Sequence, residues 1–461
     1  MTRSIRRAAL LAVLGAALLG AGCSMMPAYQ RPAAPVPGNW PAPSAATGAG
    51  AAELPWQQFF GDARLRQLIS IALAGNRDLR VAVLSIEQAL AQYDIRRADQ
   101  LPTVGATLGG SRVPASEGHK TSYSAGLGFS TWELDFFGRV ASLSEAALAQ
   151  YLATEEGRKA VQISLVASVA NTWLALVADE ELLELTRRTL ATREESQRLV
   201  RLRFEHGVTS ELDLRQAQSL AESARVTLAQ LTRQRALDLD ALALLLGQPV
   251  PPEIAAEPST VSITLPDVPA GTPSEVLTRR PDVRAAEQQL VAANANIGAA
   301  RAAFFPRISL TAGVGKASDQ LSGLFQGGGW GFSVAPQLLQ PIFDAGRNRA
   351  GLAAATVGRD IALAQYERTI QTAFREVSDA LAGRATFGEQ LRAQGQVAEA
   401  EAARYRLSEL RYRNGVASYL DLLDAQRSLF VAQQALVQTR QQQLQNQVLL
   451  YRALGGGWAA P

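Results

Sequence analysis

Two kinds of hydrophobic patterning alternate along this chain, and each occurs twice. Strict alternation marks the strands. Val104, Ala106 and Leu108 face one way while Thr103, Gly105, Thr107 and Gly109 face the other; Tyr123, Ala125, Leu127 and Phe129 likewise oppose Ser122, Ser124, Gly126, Gly128 and Ser130. Ile308, Leu310, Ala312 and Val314, followed by Trp330, Phe332, Val334 and Leu338, repeat the pattern. Successive strand residues point to opposite faces, so a row of Ser, Thr and Gly makes a wetted face. Gly-rich loops at Ser116–Lys120 and Ser322–Gly329 predict that each pair is a hairpin.

The second pattern is helical. Shorter helices are expected over Leu65–Asp99 and Val283–Ala303, ahead of Pro102 and Pro306. Very long helical runs follow each hairpin, because no Pro occurs between Phe137 and Pro249 or between Pro341 and Pro461. Gly207 and Gly415 are their natural breaks. At 1.5 Å per residue, Gly138–His206 predicts a helix of about 100 Å. Leu176, Leu183 and Leu190 recur at seven, a coiled-coil-like seam rather than one globular core.

The chain is also internally duplicated. Leu202-Arg203-Phe204-Glu205-His206-Gly207-Val208-Thr209-Ser210-Glu211-Leu212-Asp213-Leu214 returns 208 positions later as Leu410-Arg411-Tyr412-Arg413-Asn414-Gly415-Val416-Ala417-Ser418-Tyr419-Leu420-Asp421-Leu422. Ala217-Gln218 returns as Ala425-Gln426, so that 10 of 17 aligned positions are identical. A second echo begins at Asp78 and Asp282 and ends at Leu101-Pro102 and Phe305-Pro306. The boundaries expected are a signal peptide over 1–22, an extended Pro- and Ala-rich segment over 23–60, and two repeats over 61–271 and 272–461. Their hairpins span 103–134 and 307–342.

Charge adds little. Residues 1–22 carry Arg3, Arg6 and Arg7 and no acid; without them 42 of the 45 Lys and Arg remain, against 42 Asp and Glu. A neutral mature chain with no dense basic run gives no sign of nucleic-acid binding. The apolar run Ala8–Leu19 behind that basic start reads as an export signal, too short to span a bilayer. Cys23, the only cysteine, follows Leu19-Gly20-Ala21-Gly22, which resembles a lipoprotein processing site where the thiol is acylated. The competing reading is ordinary cleavage that leaves a free thiol. No other segment offers ~20 uninterrupted apolar residues, so any membrane span is a closed barrel.

Apolar-outward, polar-inward strands with Trp132, Phe136, Phe137, Trp330 and Phe332 near the rims fit such a barrel. Four strands per chain cannot close one, since the smallest have about eight. The barrel reading therefore requires an oligomer: two chains would give eight strands, three would give twelve. The rival is a small soluble sheet.

Several motifs resemble outer-membrane factors of the TolC superfamily, in particular OprM-like multidrug efflux lipoproteins. They are Cys23-Ser24-Met25-Met26-Pro27-Ala28-Tyr29-Gln30-Arg31-Pro32, Trp132-Glu133-Leu134-Asp135-Phe136-Phe137-Gly138-Arg139 and Arg279-Arg280-Pro281-Asp282-Val283-Arg284. Phe305-Pro306, Pro341-Ile342-Phe343-Asp344-Ala345-Gly346, the two Gly-Val turns and Ala453-Leu454-Gly455-Gly456-Gly457-Trp458 complete the set. The resemblance implies an internally duplicated α+β membrane protein. In it a homotrimeric twelve-stranded transmembrane β-barrel continues into a long periplasmic α-helical barrel. A girdle would involve 247–271 and the C-terminal tail. It implies an outer-membrane lipoprotein anchored in outer-membrane lipid through Cys23, serving as the passive exit channel of a tripartite pump. A periplasmic adaptor (membrane fusion protein) and an inner-membrane RND transporter would supply substrate and energy. No cofactor is implied.

The mouth is expected where the helices reverse, at His206–Ser210 and Asn414–Ser418. Leu420 and Asp424 are four apart and share a helix face, with Asp421 beside it. Repeated around an axis, they would form a carboxylate ring next to an apolar ring, a cation-favouring constriction. Leu420 and Asp424 match gate positions of OprM-like proteins, whereas Asp421 replaces a neutral residue common there. Arg203 and Arg411 are expected to latch adjacent helices through carboxylates such as Asp213. The turn residues Gly207, Val208, Gly415 and Val416 would meet the adaptor.

Two other functions compete. A TolC-like duct for type I protein secretion shares nearly all these features, and a lipid-anchored periplasmic coiled-coil scaffold explains the helices but not the hairpins. An enzyme is not expected. His119 and His206 fall at opposite ends of the plan, with no nucleophile set, metal cluster or phosphate loop to join them.

Overall fold

The computed structural model describes residues 24–41, 51–114, 116, 118–256 and 263–458. Helices α1 (Trp56–Phe59), α2 (Ala63–Gly75) and α3 (Arg77–Ala98) precede strands β1 (Gly105–Pro114) and β2 (His119–Leu134). Next come α4 (Arg139–Glu205), α5 (Glu211–Leu246), α6 (Pro252–Ala256), α7 (Pro273–Arg279) and α8 (Pro281–Ala302). The chain continues through β3 (Arg307–Ser318), a 3-10 turn (Leu321–Leu324), β4 (Gly331–Leu339), α9 (Arg347–Arg413) and α10 (Tyr419–Ala453). The expected helix Leu65–Asp99 is two helices. Asn76 caps one and opens the next: its backbone N–H bonds the Ala72 carbonyl and its side chain accepts from Leu79 N at 2.9 Å. Two compact units form, each drawing on both halves of the duplicated sequence.

The first unit comprises 24–34, 84–156 and 284–369 of the described chain. It holds one antiparallel sheet in the order β1-β2-β3-β4. Gly126 pairs with Gly315 and Gly128 with Gly313 across the middle of the sheet. A Cβ on Gly128 would sit 2.5 Å from the Ala312 carbonyl oxygen, so the two strands approach more closely than any side chain permits. Both long helices begin in the same way after their hairpin. Asp135 accepts from Ala141 N at 2.7 Å, and Asp344 from Gly346 N and Asn348 N at 2.9 Å each. These carboxylates satisfy orphan helix N–H groups, which explains why both motifs carry Asp ahead of Gly-Arg. The N-terminal segment straps onto α8. Arg31 meets Glu287 through two 2.6 Å bonds, Tyr29 donates to the same carboxylate at 3.2 Å, and Met26 packs so closely on Gly298 that no Cβ fits. Cys23 lies outside the described residues.

The second unit comprises 35–41, 51–83, 157–256, 263–283 and 370–458 of the described chain, with its own core. Phe59 stacks on Tyr451 at 4.0 Å, and Trp173, Leu242, Leu246, Val377 and Leu381 close around them. Trp173 Nε1 donates to Asp62 at 2.9 Å, and Tyr451 donates to the Leu54 carbonyl at 2.6 Å. One window of α4 is long and on average apolar enough to cross a membrane, although polar residues such as Gln162 and Asn171 interrupt the apolar run there. Its residues Leu165, Val166, Val169 and Leu174 are buried in this core, which accounts for their hydrophobicity without a lipid phase.

Asp179 of α4 faces Asp238 of α5, which is 8% exposed and accepts from Gln234 at 3.0 Å. Burial, then the hydrogen bond with Asp238, pushes the Asp179 carboxyl up to about 7. Glu180 beside it is ion-paired with Arg235. A carboxyl raised on folding keeps its proton longer in the native state, so stability falls as pH climbs from about 4 to 7 and the deficit is complete above that. Asp179→Asn is therefore expected to stabilise the protein at pH 8 by about 2 kcal/mol, half the ~4 kcal/mol that a three-unit shift implies, because the site is only half-buried. At pH 4 the gain should vanish. Melting temperatures at the two pH values measure both.

Candidate functional site

The two helix reversals are built alike. Gly207 and Gly415 adopt φ of 71° and 72°, the left-handed region open to glycine. Val208 N bonds Arg203 O at 2.8 Å and Gly207 N bonds Phe204 O at 2.9 Å; Val416 N to Arg411 O at 2.9 Å and Gly415 N to Tyr412 O at 3.0 Å repeat them. This paired closure satisfies the last carbonyls of α4 and α9. Val208 and Val416 then stand exposed at 62% and 67%, without apolar neighbours to bury them.

The next helices open with capping boxes. Ser210 exchanges bonds with Asp213, and Ser418 with Asp421, their carboxylates accepting the Ser N–H at 3.2 and 3.1 Å. The Thr209 hydroxyl, and after it Ser210, hold Asp213 below the usual carboxylate range. Asp421 and Asp213 are thus committed to their own helix starts. The expected Arg203–Asp213 latch is not formed within the chain. Arg203 instead donates to the Tyr412 hydroxyl at 2.6 Å and lies over that ring, 5.4 Å from its centroid. Asp213 accepts instead from the Thr209 and Ser210 hydroxyls at 2.6 and 2.8 Å, and Arg203 acts on it through its charge alone. Among the described residues the Arg411 side chain makes no ion pair within its own chain.

Tyr412 packs on Tyr419, whose hydroxyl lies 3.1 Å from Ser196 Oγ; with Val200, Leu214, Leu422 and Leu423 they form a small apolar cluster behind the turns. Just beyond it, Leu420 is 59% exposed. Asp424 is gripped by Arg404 at 2.5 Å and Arg427 at 2.9 Å, with Glu401 on the far side of Arg404 at 3.2 Å. Hydrogen bonds from Arg404, then from Arg427, hold the Asp424 carboxyl below its ordinary value. Leu420, Asp424 and Arg427 line one side of a groove of ≈ 470 Å³, with Arg215, Gln216 and Ser219 on the other. The duplication places Gln216 where the second repeat has Asp424, so only one of the two equivalent positions carries charge. Sequence reasoning missed Arg404, Arg427, Tyr412 and Tyr419. Only Tyr412 had a visible signal, as the aromatic aligned with Phe204.

The family model described as outer membrane efflux protein matches residues 68–248 and 272–456, one stretch in each repeat. The chain belongs to that family. Probable efflux pump outer membrane protein TtgC of Pseudomonas putida is 50% identical over 462 residues, covering 97% of this chain and 96% of the relative. Outer membrane protein OprJ of Pseudomonas aeruginosa is 46% identical over 457 residues, 97% and 95% of the two chains. Among solved structures, the open-state MtrE outer membrane channel of Neisseria gonorrhoeae superposes with a TM-score of 0.88 at 41% identity, covering 95% of this chain and 99% of that one.

This efflux protein is accordingly an outer-membrane component of an efflux system, in a family of transport channels rather than enzymes. Its fold is that of the TolC-superfamily channels, so the expected fold class, family and location hold. The strap over α8, the Asp135 and Asp344 caps and the paired turns are this chain's own means of reaching that fold.

Proposed function

We propose that three copies of this chain form the passive exit duct of a tripartite RND-type pump. The supporting observation is the open sheet: β1 and β4 are its edges, and every residue of both is exposed. Unpaired backbone groups cannot face lipid, and four strands fall short of the roughly eight that a closed barrel needs. Head-to-tail pairing of β4 on β1 of the next copy satisfies both edges, and three copies give a twelve-stranded ring. Periplasmic adaptors would grip the turns at Gly207, Val208, Gly415 and Val416, and an acyl chain on Cys23 would add a tether. The relatives are named for efflux of antibiotics and toluene, so small toxic and apolar compounds are the proposed cargo rather than secreted protein.

Leu420 and Asp424 form the proposed constriction, with Asp421 as the cap that orients them and Arg404 and Arg427 as the clamps that hold the mouth narrow. Arg203 contributes by fixing Tyr412. Single-channel recording of the purified protein in planar bilayers tests both levels. The wild type should conduct weakly and run as a heat-dissociable trimer, and Asp424→Ala should raise conductance while weakening cation preference. A monomer that never conducts would defeat the duct; a variant indistinguishable from wild type would defeat the gate alone.

A further inference from the structure

The sheet segregates its charges. By register, Ala106, Leu108, Gly110 and Arg112 of β1 share one face with Leu127, Ala125, Tyr123 and Thr121 of β2, Val314, Lys316 and Ser318 of β3, and Phe332 and Val334 of β4. This is the apolar face: Leu108 is 82% exposed, Leu127 55% and Phe332 84%. Along the described strands it carries two charged side chains, Arg112 and Lys316, and no acid. They lie on either side of the Tyr123–Gly110 rung, towards the hairpin loops and away from the ends that join the helices. Glu133 is turned to the other face at the helix end, paired with Arg139 and Arg307. Asp319 follows β3 in the connection to β4, off the strand face. The Lys316 ammonium donates to the Gln326 carbonyl, which draws it towards the loops.

We propose that Arg112 and Lys316, on the face that carries Tyr123 and Phe332, form a docking surface for anionic, phosphate-bearing headgroups of the lipids around the loop end of the barrel. Cations on a lipid-facing strand are costly at mid-membrane and nearly free at the interface, where aromatics also gather, so their position marks headgroup depth. With no acid among the described strand residues of this face, their charge is answered by the lipid. A lipid fits better than a free anion because both cations project from a surface whose next rungs, Leu108 and Val314, call for acyl chains. The inference rests on the barrel reading above.

The test is native mass spectrometry of the full-length detergent-solubilised trimer with bisphosphorylated lipid A, with its dephosphorylated form, and with inorganic phosphate as competitor. The phosphorylated lipid should be held more tightly than the dephosphorylated one. Arg112→Gln and Lys316→Gln should each weaken its retention roughly fivefold, and millimolar phosphate should not displace it. Equal retention of the two lipids by the wild type overturns the proposal, as does unchanged retention in both variants or displacement by inorganic phosphate. If one variant fails to assemble, the other variant and the wild-type comparison still decide. Heat-dissociable migration and conductance, measured on the same samples, are independent of these cations, so their loss in the wild type would signal failure of the barrel reading itself.

Discussion

Gly128→Val should leave little folded channel in the outer membrane. Its first side-chain carbon would stand 2.5 Å from Ala312 O and 2.8 Å from Gly313 Cα, both backbone atoms with no rotamer to yield. Forcing them apart means breaking the β2–β3 ladder at its centre, a cost of about 3 kcal/mol per chain, multiplied by every copy that closes the ring. Gly331 serves as the comparison, because a Cβ there meets no atom of its own chain within 4 Å. Gly331→Val should therefore still migrate as a heat-dissociable species in membrane extracts, while Gly128→Val should not. Normal migration of both would show that the close approach at Gly128 does not hold in the folded membrane protein.

The second large effect is expected in the other unit. Arg280 is only 9% exposed at its side chain and joins Asp282 at 2.5 Å, Glu376 at 2.9 Å and the Ala453 carbonyl at 2.7 Å. It thus fastens the start of α8 to α9 and to the end of α10. Arg280→Met would strand the Glu376 carboxylate beside a carbonyl with only Arg452, 3.5 Å away, to answer it. Breaking a buried pair in this manner costs about 3–5 kcal/mol, and Arg280→Lys should recover only part, since an ammonium cannot serve three acceptors in a planar fork. Thermal unfolding in detergent measures both variants. A melting temperature within a degree or two of wild type for Arg280→Met would refute the assignment of this cluster as a main fastening.

Those residues also show where sequence reasoning ends. Arg280-Pro281-Asp282 was legible as a helix start, and Pro281 does open α8. That Arg280 reaches residues 96 and 173 positions away was not legible, because ion pairing between distant segments leaves no local period. The same holds at the candidate gate. Spacing put Leu420 and Asp424 on one face, but Arg404, on the preceding helix, is brought to Asp424 only by the packing of α9 against α10. Asp421 looked like a second gate charge by spacing alone. Its capping bond to Ser418 is a three-residue event that the Ser-x-x-Asp pattern could have revealed.

By itself the sequence determined the duplication, the hairpins, the long helices and the two glycine turns. These follow from periodicity and from backbone rules that act over a few residues: alternation for a two-faced strand, absence of Pro for an unbroken helix, and φ near 70° for a tight reversal. The tertiary structure alone decided which glycines sit backbone to backbone, which arginine meets which carboxylate, and that Asp179 comes to lie beside Asp238. Each of those depends on a distance of a few ångströms between segments far apart in the chain, and such distances are set by the sum of packing rather than by any residue's neighbours in sequence.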